Sequence, residues 1–182
     1  DFYIYSPKGY REMPILVSAA AVQITFGLRD YLLPHFANII IHPEEYIAYD
    51  PLRVLMGNVQ GRSITLSWKH FLEDYQQPTD GKNVGLHEMA HALQVQYLFR
   101  KSKRSNAFKE DFEHYDRVDD EVLNAEKNKT SNLFDANALS NKNEFWATSV
   151  ELFFEKPIAL KEQYPHLYNS SCVVLNQDPA AM

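Results

Sequence analysis

Segment 84–93, Val-Gly-Leu-His-Glu-Met-Ala-His-Ala-Leu, constrains the fold of this chain more than any other feature. Its polar side chains are His87, Glu88 and His91, and the side chains around them are apolar. Residues four apart lie one turn apart on one face of an α-helix, so the histidines predict a helix that projects two imidazoles side by side. Burying such polar groups is costly unless they have a partner. The segment therefore predicts a buried helix whose histidines share a ligand.

Two imidazoles at this spacing suit one tetrahedral Zn²⁺, and His-Glu-x-x-His is a pattern typical of zinc hydrolases. The pattern has only three fixed positions and also arises by chance, so the apolar context is what favours a metal site. We predict that His87 and His91 bind one zinc ion per chain. Glu88 is predicted to be the general base that takes a proton from a zinc-bound water and passes it to the leaving group.

A catalytic zinc site uses three protein ligands and leaves one position open. The extension typical of metzincins is absent, because Gln94 and Tyr97 stand in that stretch. A carboxylate in segment 143–154 is the better candidate, since Glu144 and Glu151 are seven apart and share a helix face among bulky apolar side chains. We rank Glu144 first because it lies near the helix start, but periodicity does not separate it from Glu151. The remaining histidines are weaker candidates: His35, His42, His70, His114 and His166.

Composition narrows the class of protein. A chain of 182 residues, with 45% hydrophobic and 23% charged residues, is long enough and apolar enough for a globular core, and we expect a single catalytic domain over residues 1–182. The chain begins at Asp1 and is expected to be a fragment of a longer protein. A net charge of -6 argues against nucleic-acid binding, so the basic run 100–104 is interpreted as cations at the end of the motif helix. The single cysteine, Cys172, rules out an internal disulfide and favours a reducing compartment.

The order of the predicted elements indicates an α+β fold, with a few strands early and helices later. Apolar or alternating runs predict strands at 38–41, 54–56 and 63–68. Helical periodicity predicts helices at 14–33, 83–99, 112–122 and 140–155, with one or two short helices in 158–177. The longest apolar stretch, 15–28, is too short for a bilayer span of about 20 residues, so no membrane-spanning segment is expected within this chain.

Several segments together resemble the Mlc titration factor A family of zinc peptidases. Besides 87–91, the resemblance rests on Ile40-Ile41-His42-Pro43, on Gly61-Arg62-Ser63-Ile64-Thr65-Leu66-Ser67-Trp68, on Glu144-Phe145-Trp146-Ala147-Thr148-Ser149-Val150-Glu151-Leu152-Phe153-Phe154 and on Gln177-Asp178-Pro179. It extends from about residue 15 to 179 in one consistent order. It implies a zincin-like metallopeptidase core similar to the catalytic domain of anthrax lethal factor, with a small mixed sheet packed on the helices that carry the motif and a later glutamate ligand.

The resemblance implies a function as well as a fold. Glu144 matches the glutamate that is the family's third zinc ligand, giving a gluzincin-type set with His87 and His91. The implied activity is a zinc metallopeptidase that hydrolyses peptide or protein substrates in the bacterial cytoplasm. An enterobacterial member binds a glucose-responsive repressor, so the alternative is a regulatory protein that uses the same scaffold to sequester a transcriptional repressor.

Two positions depart from the family pattern. Gln94 stands at or near an aspartate of the family, and Asn137 stands where the family carries a tyrosine. A tyrosine hydroxyl near zinc can donate to a developing oxyanion, so Asn137 predicts a weaker peptidase unless another tyrosine replaces it. The candidates for that replacement are Tyr97, Tyr115 and Tyr164. Segment 63–68 is expected to be an edge strand that pairs with an extended substrate, as in zincin-like folds.

Overall fold

The computed structural model of the chain describes residues 1–5, 11–49, 52–99, 103–126 and 133–181. Within these ranges the chain forms six strands and seven α-helices. The strands are β1 (Phe2–Ile4), β2 (Asn38–His42), β3 (Tyr46–Tyr49), β4 (Leu52–Leu55), β5 (Gly57–Gln60) and β6 (Ser63–Ser67). The helices are α1 (Glu12–Thr25), α2 (Trp68–Tyr75), α3 (Val84–Phe99), α4 (Lys103–Glu126), α5 (Lys142–Glu155), α6 (Pro157–Gln163) and α7 (Pro165–Leu175). Most of the basic run 100–104 lies outside the described residues.

Four strands form a small mixed sheet in the order β1-β2-β6-β5. β1, β2 and β6 are parallel, whereas β5 runs antiparallel to β6, with Gly57 opposite Leu66. β3 and β4 form a separate antiparallel hairpin in which Ile47 lies opposite Val54. A small sheet followed by a series of helices confirms the α+β class.

The prediction that 63–68 is an edge strand is wrong. β6 pairs with β2 on one side and with β5 on the other, so it is an inner strand. The alternation in this segment arises because Ile64 and Leu66 are buried on one face. A buried face does not reveal whether the strand has another strand beside it on one side or on both. A turn at Gly61, where φ is +58°, folds the preceding segment back as β5. β5 is therefore the edge strand beside the motif helix.

The predicted helix at 14–33 is shorter in the structure. α1 ends at Thr25, because its buried side chains follow a spacing of four, three and four that stops at Ile24. The next residue, Phe26, is 76% exposed. The buried side chains of α1 are Met13, Val17, Ala20, Ile24 and Thr25.

α3 is the central helix of the described fold and confirms the helix predicted at 83–99. It packs against α1, α5 and the β5–β6 end of the sheet, and Met89, Ala90 and Leu93 are fully buried. α5 runs beside it and matches the helix predicted at 140–155. No helix in the described part of the chain is both long and apolar enough to cross a bilayer.

Candidate metal centre

The start of α3 is held by side chains from outside the motif. The Asp74 carboxylate accepts a hydrogen bond from the Val84 backbone N–H at 2.8 Å, and the Asn83 side chain accepts one from the Leu86 N–H at 3.0 Å. These contacts satisfy backbone donors that a helix leaves unpaired at its N-terminus. His87 consequently sits in the first turn of a helix whose start is well defined.

α5 begins just before its first carboxylate and is pinned to α3. The Asn141 side chain accepts hydrogen bonds from the backbone N–H groups of Asn143 and Glu144, at 3.0 and 3.1 Å. One turn further, the buried Trp146 indole N–H donates to the Ala90 carbonyl at 2.9 Å. This contact sets the height of α5 against α3, and Glu144 faces the histidines.

Three side chains from the two helices converge at one point. The Nε2 atoms of His87 and His91 lie 3.2 Å apart, and the Glu144 carboxylate lies 3.2 Å from the first and 3.5 Å from the second. One donor atom from each residue falls within 4.8 Å of the others. Two imidazole nitrogens and a carboxylate oxygen form a donor set that suits tetrahedral zinc with one position open. Hydrogen bonds from both histidines hold the pKa of Glu144 well below its usual range.

Glu151 contacts the opposite side of the His87 ring. Its Oε1 atom lies 2.6 Å from His87 Nδ1, and its Oε2 accepts a hydrogen bond from the Asn83 backbone N–H. Burial lowers the pKa of His87, but the hydrogen bonds with Glu144 and Glu151 outweigh it and raise the pKa to about 10. A carboxylate at the far nitrogen of a metal-binding histidine orients the ring and raises its basicity. The geometry thus distinguishes the two glutamates that periodicity left equivalent.

A third carboxylate of α5 holds the loop before the motif. Glu155 accepts hydrogen bonds from the Gly81 backbone N–H at 3.0 Å and the Asn83 side chain at 2.9 Å. Burial raises the pKa of Glu155 to about 7. Glu144, Glu151 and Glu155 are seven and four apart, so they lie on one helix face.

Glu88 lies beside the three donors but does not join them. It is only 5% exposed, and its Oε2 atom finds no donor among the described residues. It packs against Gly57 of β5, where an added Cβ would overlap the Glu88 side chain, so a larger residue there would displace the carboxylate. Burial raises the pKa of Glu88 to about 8, against the opposing effect of His87. Because Glu88 is buried beside the three donors, its carboxylate is placed to exchange a proton with a water bound there.

The donors open into a cleft of about 1110 Å³. Residues 53–59 line this cleft. Gln94 and Asn137, the two positions that depart from the family pattern, line it as well. The Asn137 side-chain amide donates to Glu144 Oε2 at 3.0 Å, and the Gln94 amide donates to the Asn143 side chain at 3.1 Å. Asn137 therefore supports a carboxylate of the candidate centre.

The three tyrosines considered as replacements lie away from this cleft. Tyr97 donates to the Asp30 carbonyl at 3.3 Å, Tyr115 is fully buried against Trp146, and Tyr164 packs by Phe134. None of the three is among the described residues that line the cleft. The residues that sequence reasoning missed are Gly57, Asp74, Asn83 and Glu155. Of these only Asn83 carried a signal, as a helix-capping residue type at the motif helix start.

Comparison with known proteins identifies the family of the chain. A family model described as "Glucose-regulated metallo-peptidase M90" matches residues 9–172, which include every residue of the candidate centre. The chain belongs to this M90 family. The M90 assignment agrees with a centre built from two histidines, a glutamate and an adjacent buried carboxylate.

Curated relatives of this M90 chain carry the name Mlc titration factor A. Those from Yersinia pestis (strain Pestoides F) and Yersinia pseudotuberculosis serotype O:1b (strain IP 31758) are each 27% identical over 173 residues. The match covers 82% of this chain and 61% of each relative. The chain therefore spans about three fifths of the length of the curated relatives it matches.

Proposed function

We propose that the chain is a zinc-dependent metallopeptidase with a zincin-like core, and that His87, His91 and Glu144 hold the zinc. The observation that carries the proposal is the convergence of these three donors beside the buried Glu88. The proposed catalytic domain spans residues 1–182, and its proposed location is the bacterial cytoplasm.

Each residue of the centre has a defined task in peptide hydrolysis. Bound zinc supplies Lewis-acid chemistry, which polarises the scissile carbonyl and makes water acidic enough to attack near neutral pH. Glu88 takes the proton of the attacking water and delivers it to the leaving amine. Glu151 holds the His87 ring through Nδ1, and Asn137 holds the Glu144 carboxylate.

The edge strand β5 is the proposed site of substrate pairing. In the described residues β5 pairs only with β6, so its outer backbone groups are available to an extended peptide by strand addition. Gly57, its first residue, contacts Glu88, so a peptide paired with β5 passes close to the general base. This role replaces the one expected of 63–68.

A second candidate function comes from the name of the relatives. Mlc titration factor A is named for titrating Mlc, and the corresponding role here is to sequester a transcriptional repressor on a zincin scaffold. Glu88 favours the peptidase, because a scaffold that only binds does not need a buried carboxylate there, and burying one without a partner is costly.

The test compares Glu88→Gln with Glu113→Gln, an exposed glutamate on α4. Glu88→Gln keeps its zinc because the amide preserves shape, but it loses about 10²–10⁴-fold in peptide cleavage because proton transfer is removed. The control keeps both zinc and rate. Metal analysis and peptide cleavage, with and without chelator, are the measurements.

Cleavage by Glu88→Gln at the wild-type rate would contradict the proposed mechanism. Repressor capture by both proteins without cleavage by either would establish the second candidate instead.

A further inference from the structure

The β3–β4 hairpin exposes an apolar face. Ile47 and Val54 are cross-strand partners and Leu52 is two residues from Val54, so all three point to the same side. They are 53%, 66% and 74% exposed, and Met56 just after β4 is 54% exposed. The two strands make their main contacts with each other. Nothing in the described part of the chain covers this face.

The hairpin continues directly into the candidate active site. Residues 53–59 line the cleft without a break, so β4, Met56 and the start of β5 form one wall. Gly57 touches Glu88, and Val54 lies three residues earlier. Val54 is three residues from Gly57, so at about 3.3 Å per residue of extended chain it lies no more than roughly 10 Å from the residue that touches the general base.

The chemistry of this wall indicates what it contacts. From Arg53 to Val59 the residues are Arg-Val-Leu-Met-Gly-Asn-Val, with Arg53 as the single charge. Leu133 also lines the cleft and is half-buried. When a ligand covers apolar surface beside a catalytic cleft, the free energy of binding becomes more favourable by about 25 cal/mol for each Å² of apolar surface buried.

We propose that this wall, residues 53–59, selects peptide substrates by an apolar side chain about three residues from the scissile bond. The substrate class is an extended peptide with a large aliphatic or aromatic residue at that position, on one side of the bond. Its backbone pairs with β5, and the apolar side chain lies against Val54 and Met56. The inference rests on the proposed function and specifies its substrate.

A peptide occupant explains the position of the hairpin better than a second copy of the chain. The wall is continuous with the cleft that holds Glu88, so a permanent partner on it would obstruct the candidate centre. A substrate covers the apolar face only while it is bound. The exposed face is then part of the binding surface and is left open between encounters.

The test measures binding and cleavage separately. Fluorescence anisotropy gives the affinity of zinc-loaded Glu88→Gln for extended peptides that carry Leu or Ser at each of the four positions on either side of the central bond. Mass spectrometry locates the cuts that the wild-type chain makes in the same peptides. Val54→Thr and Met56→Gln are each added to both proteins, with Val22→Thr, a 56% exposed valine on α1, as the matched control.

We expect Leu to be preferred over Ser by about tenfold at the second to fourth position on one side only, a factor that one apolar pocket supplies. Val54→Thr or Met56→Gln lowers this preference to below threefold, and Val22→Thr leaves it unchanged. Apolar-selective binding that is lost in these variants, without cleavage by the wild type, contradicts the peptidase proposal and, with it, the inference that the bound peptide is a substrate.

Cleavage that depends on Glu88, with no Leu preference or with one that both wall variants retain, overturns the inference and leaves the peptidase proposal intact. Absence of any peptide binding also overturns it. Loss of self-association in Val54→Thr, with peptide binding unchanged, would assign the face to contacts between copies.

Discussion

The cleft has two walls that are stabilised in opposite ways. On the helical wall, formed by α3 and α5, Glu144, Glu151 and Glu155 each contact a defined donor, and Trp146 joins the helices in the core. On the hairpin wall, formed by residues 53–59, apolar side chains are exposed and the strands β3 and β4 contact mainly each other. The residues of the candidate metal centre are held in place by burial and hydrogen bonds. A surface that binds a ligand does not need this, because the fold can tolerate exposed apolar side chains until the ligand covers them.

Removing a donor from the helical wall has the largest expected effect. Glu144→Ala weakens zinc affinity by more than the 10–100-fold that loss of an outer-shell partner costs, because a direct donor is lost. Metal content and competition with a chelator are the measurements, and Glu162→Ala, an exposed glutamate on α6, is the control. Retained zinc in Glu144→Ala, with loss in Glu151→Ala, would make Glu151 the ligand.

We expect the same leucine-to-alanine substitution to change the free energy of unfolding much more in the core than in the hairpin. Leu66→Ala, at a fully buried position of β6, lowers the free energy of unfolding by about 2–5 kcal/mol because it leaves a cavity. Leu52→Ala, at a position 74% exposed on β4, changes it by less than about 0.5 kcal/mol. Urea denaturation of both variants is the measurement. A large loss in Leu52→Ala would show that the hairpin face is covered.

A buried acid with one oxygen unpaired among the described residues provides the contrast to the paired acids of α5. Asp119 on α4 is 1% exposed, its Oδ1 finds no donor among the described residues, and burial raises its pKa to about 7. The native state keeps a proton that the unfolded chain loses above about pH 4, so this group destabilises the fold as pH rises from 4 to 7.

Asp119→Asn therefore raises the free energy of unfolding at pH 8 by up to about 4 kcal/mol, at 1.36 kcal/mol for each pKa unit. It has much less effect at pH 4. Denaturation across this pH range measures the slope, and Glu113→Gln, at an exposed position on the same helix, is the control. Equal slopes in Asp119→Asn and the wild type would contradict the assignment.

The contact between Glu151 and His87 predicts a smaller effect on metal affinity. Glu151→Gln keeps the shape but loses the charge at Nδ1, so zinc affinity falls by about 10–100-fold. Chelator competition measures the affinity, and the melting temperature of the metal-free variant shows whether the fold has changed. Unchanged affinity at an unchanged melting temperature would mean that Glu151 does not position the ring.

Asn137 should have the smallest effect on the helical wall. Asn137→Ala removes one exposed hydrogen bond to Glu144, which is worth about 0.5–1.5 kcal/mol, or about 2–12-fold in zinc affinity. At equal zinc content, Asn137→Tyr tests the oxyanion role, and a rise in kcat/KM of tenfold or more would show that a hydroxyl donor was missing. Affinity unchanged in Asn137→Ala would show that this hydrogen bond does not support the carboxylate.

Much of the helical wall could be predicted from the sequence. The motif helix and the helix that carries Glu144 were predicted because their signals are local: periodicity, Asn141 before the first turn and Pro157 after the last. The end of α1 at Thr25 was missed because apolar residues continue to Leu33, and local pattern does not show which of them find a partner. The edge strand was missed for the same reason, since alternation in β6 reports a buried face only.

Local patterns in the chain identify the chemical groups and their order on each helix: two imidazoles one turn apart, a carboxylate beside them, and two more carboxylates seven residues apart on a later helix. Local helix geometry suffices for that, because it depends only on residues within a turn or two. Which glutamate meets Nε2 and which meets Nδ1 depends instead on packing between distant segments, through the Trp146–Ala90 hydrogen bond that sets α5 against α3. The tertiary structure also decided that Gly57 lies against Glu88 and that β5 forms the edge, since these contacts join residues far apart in the chain and their register depends on packing.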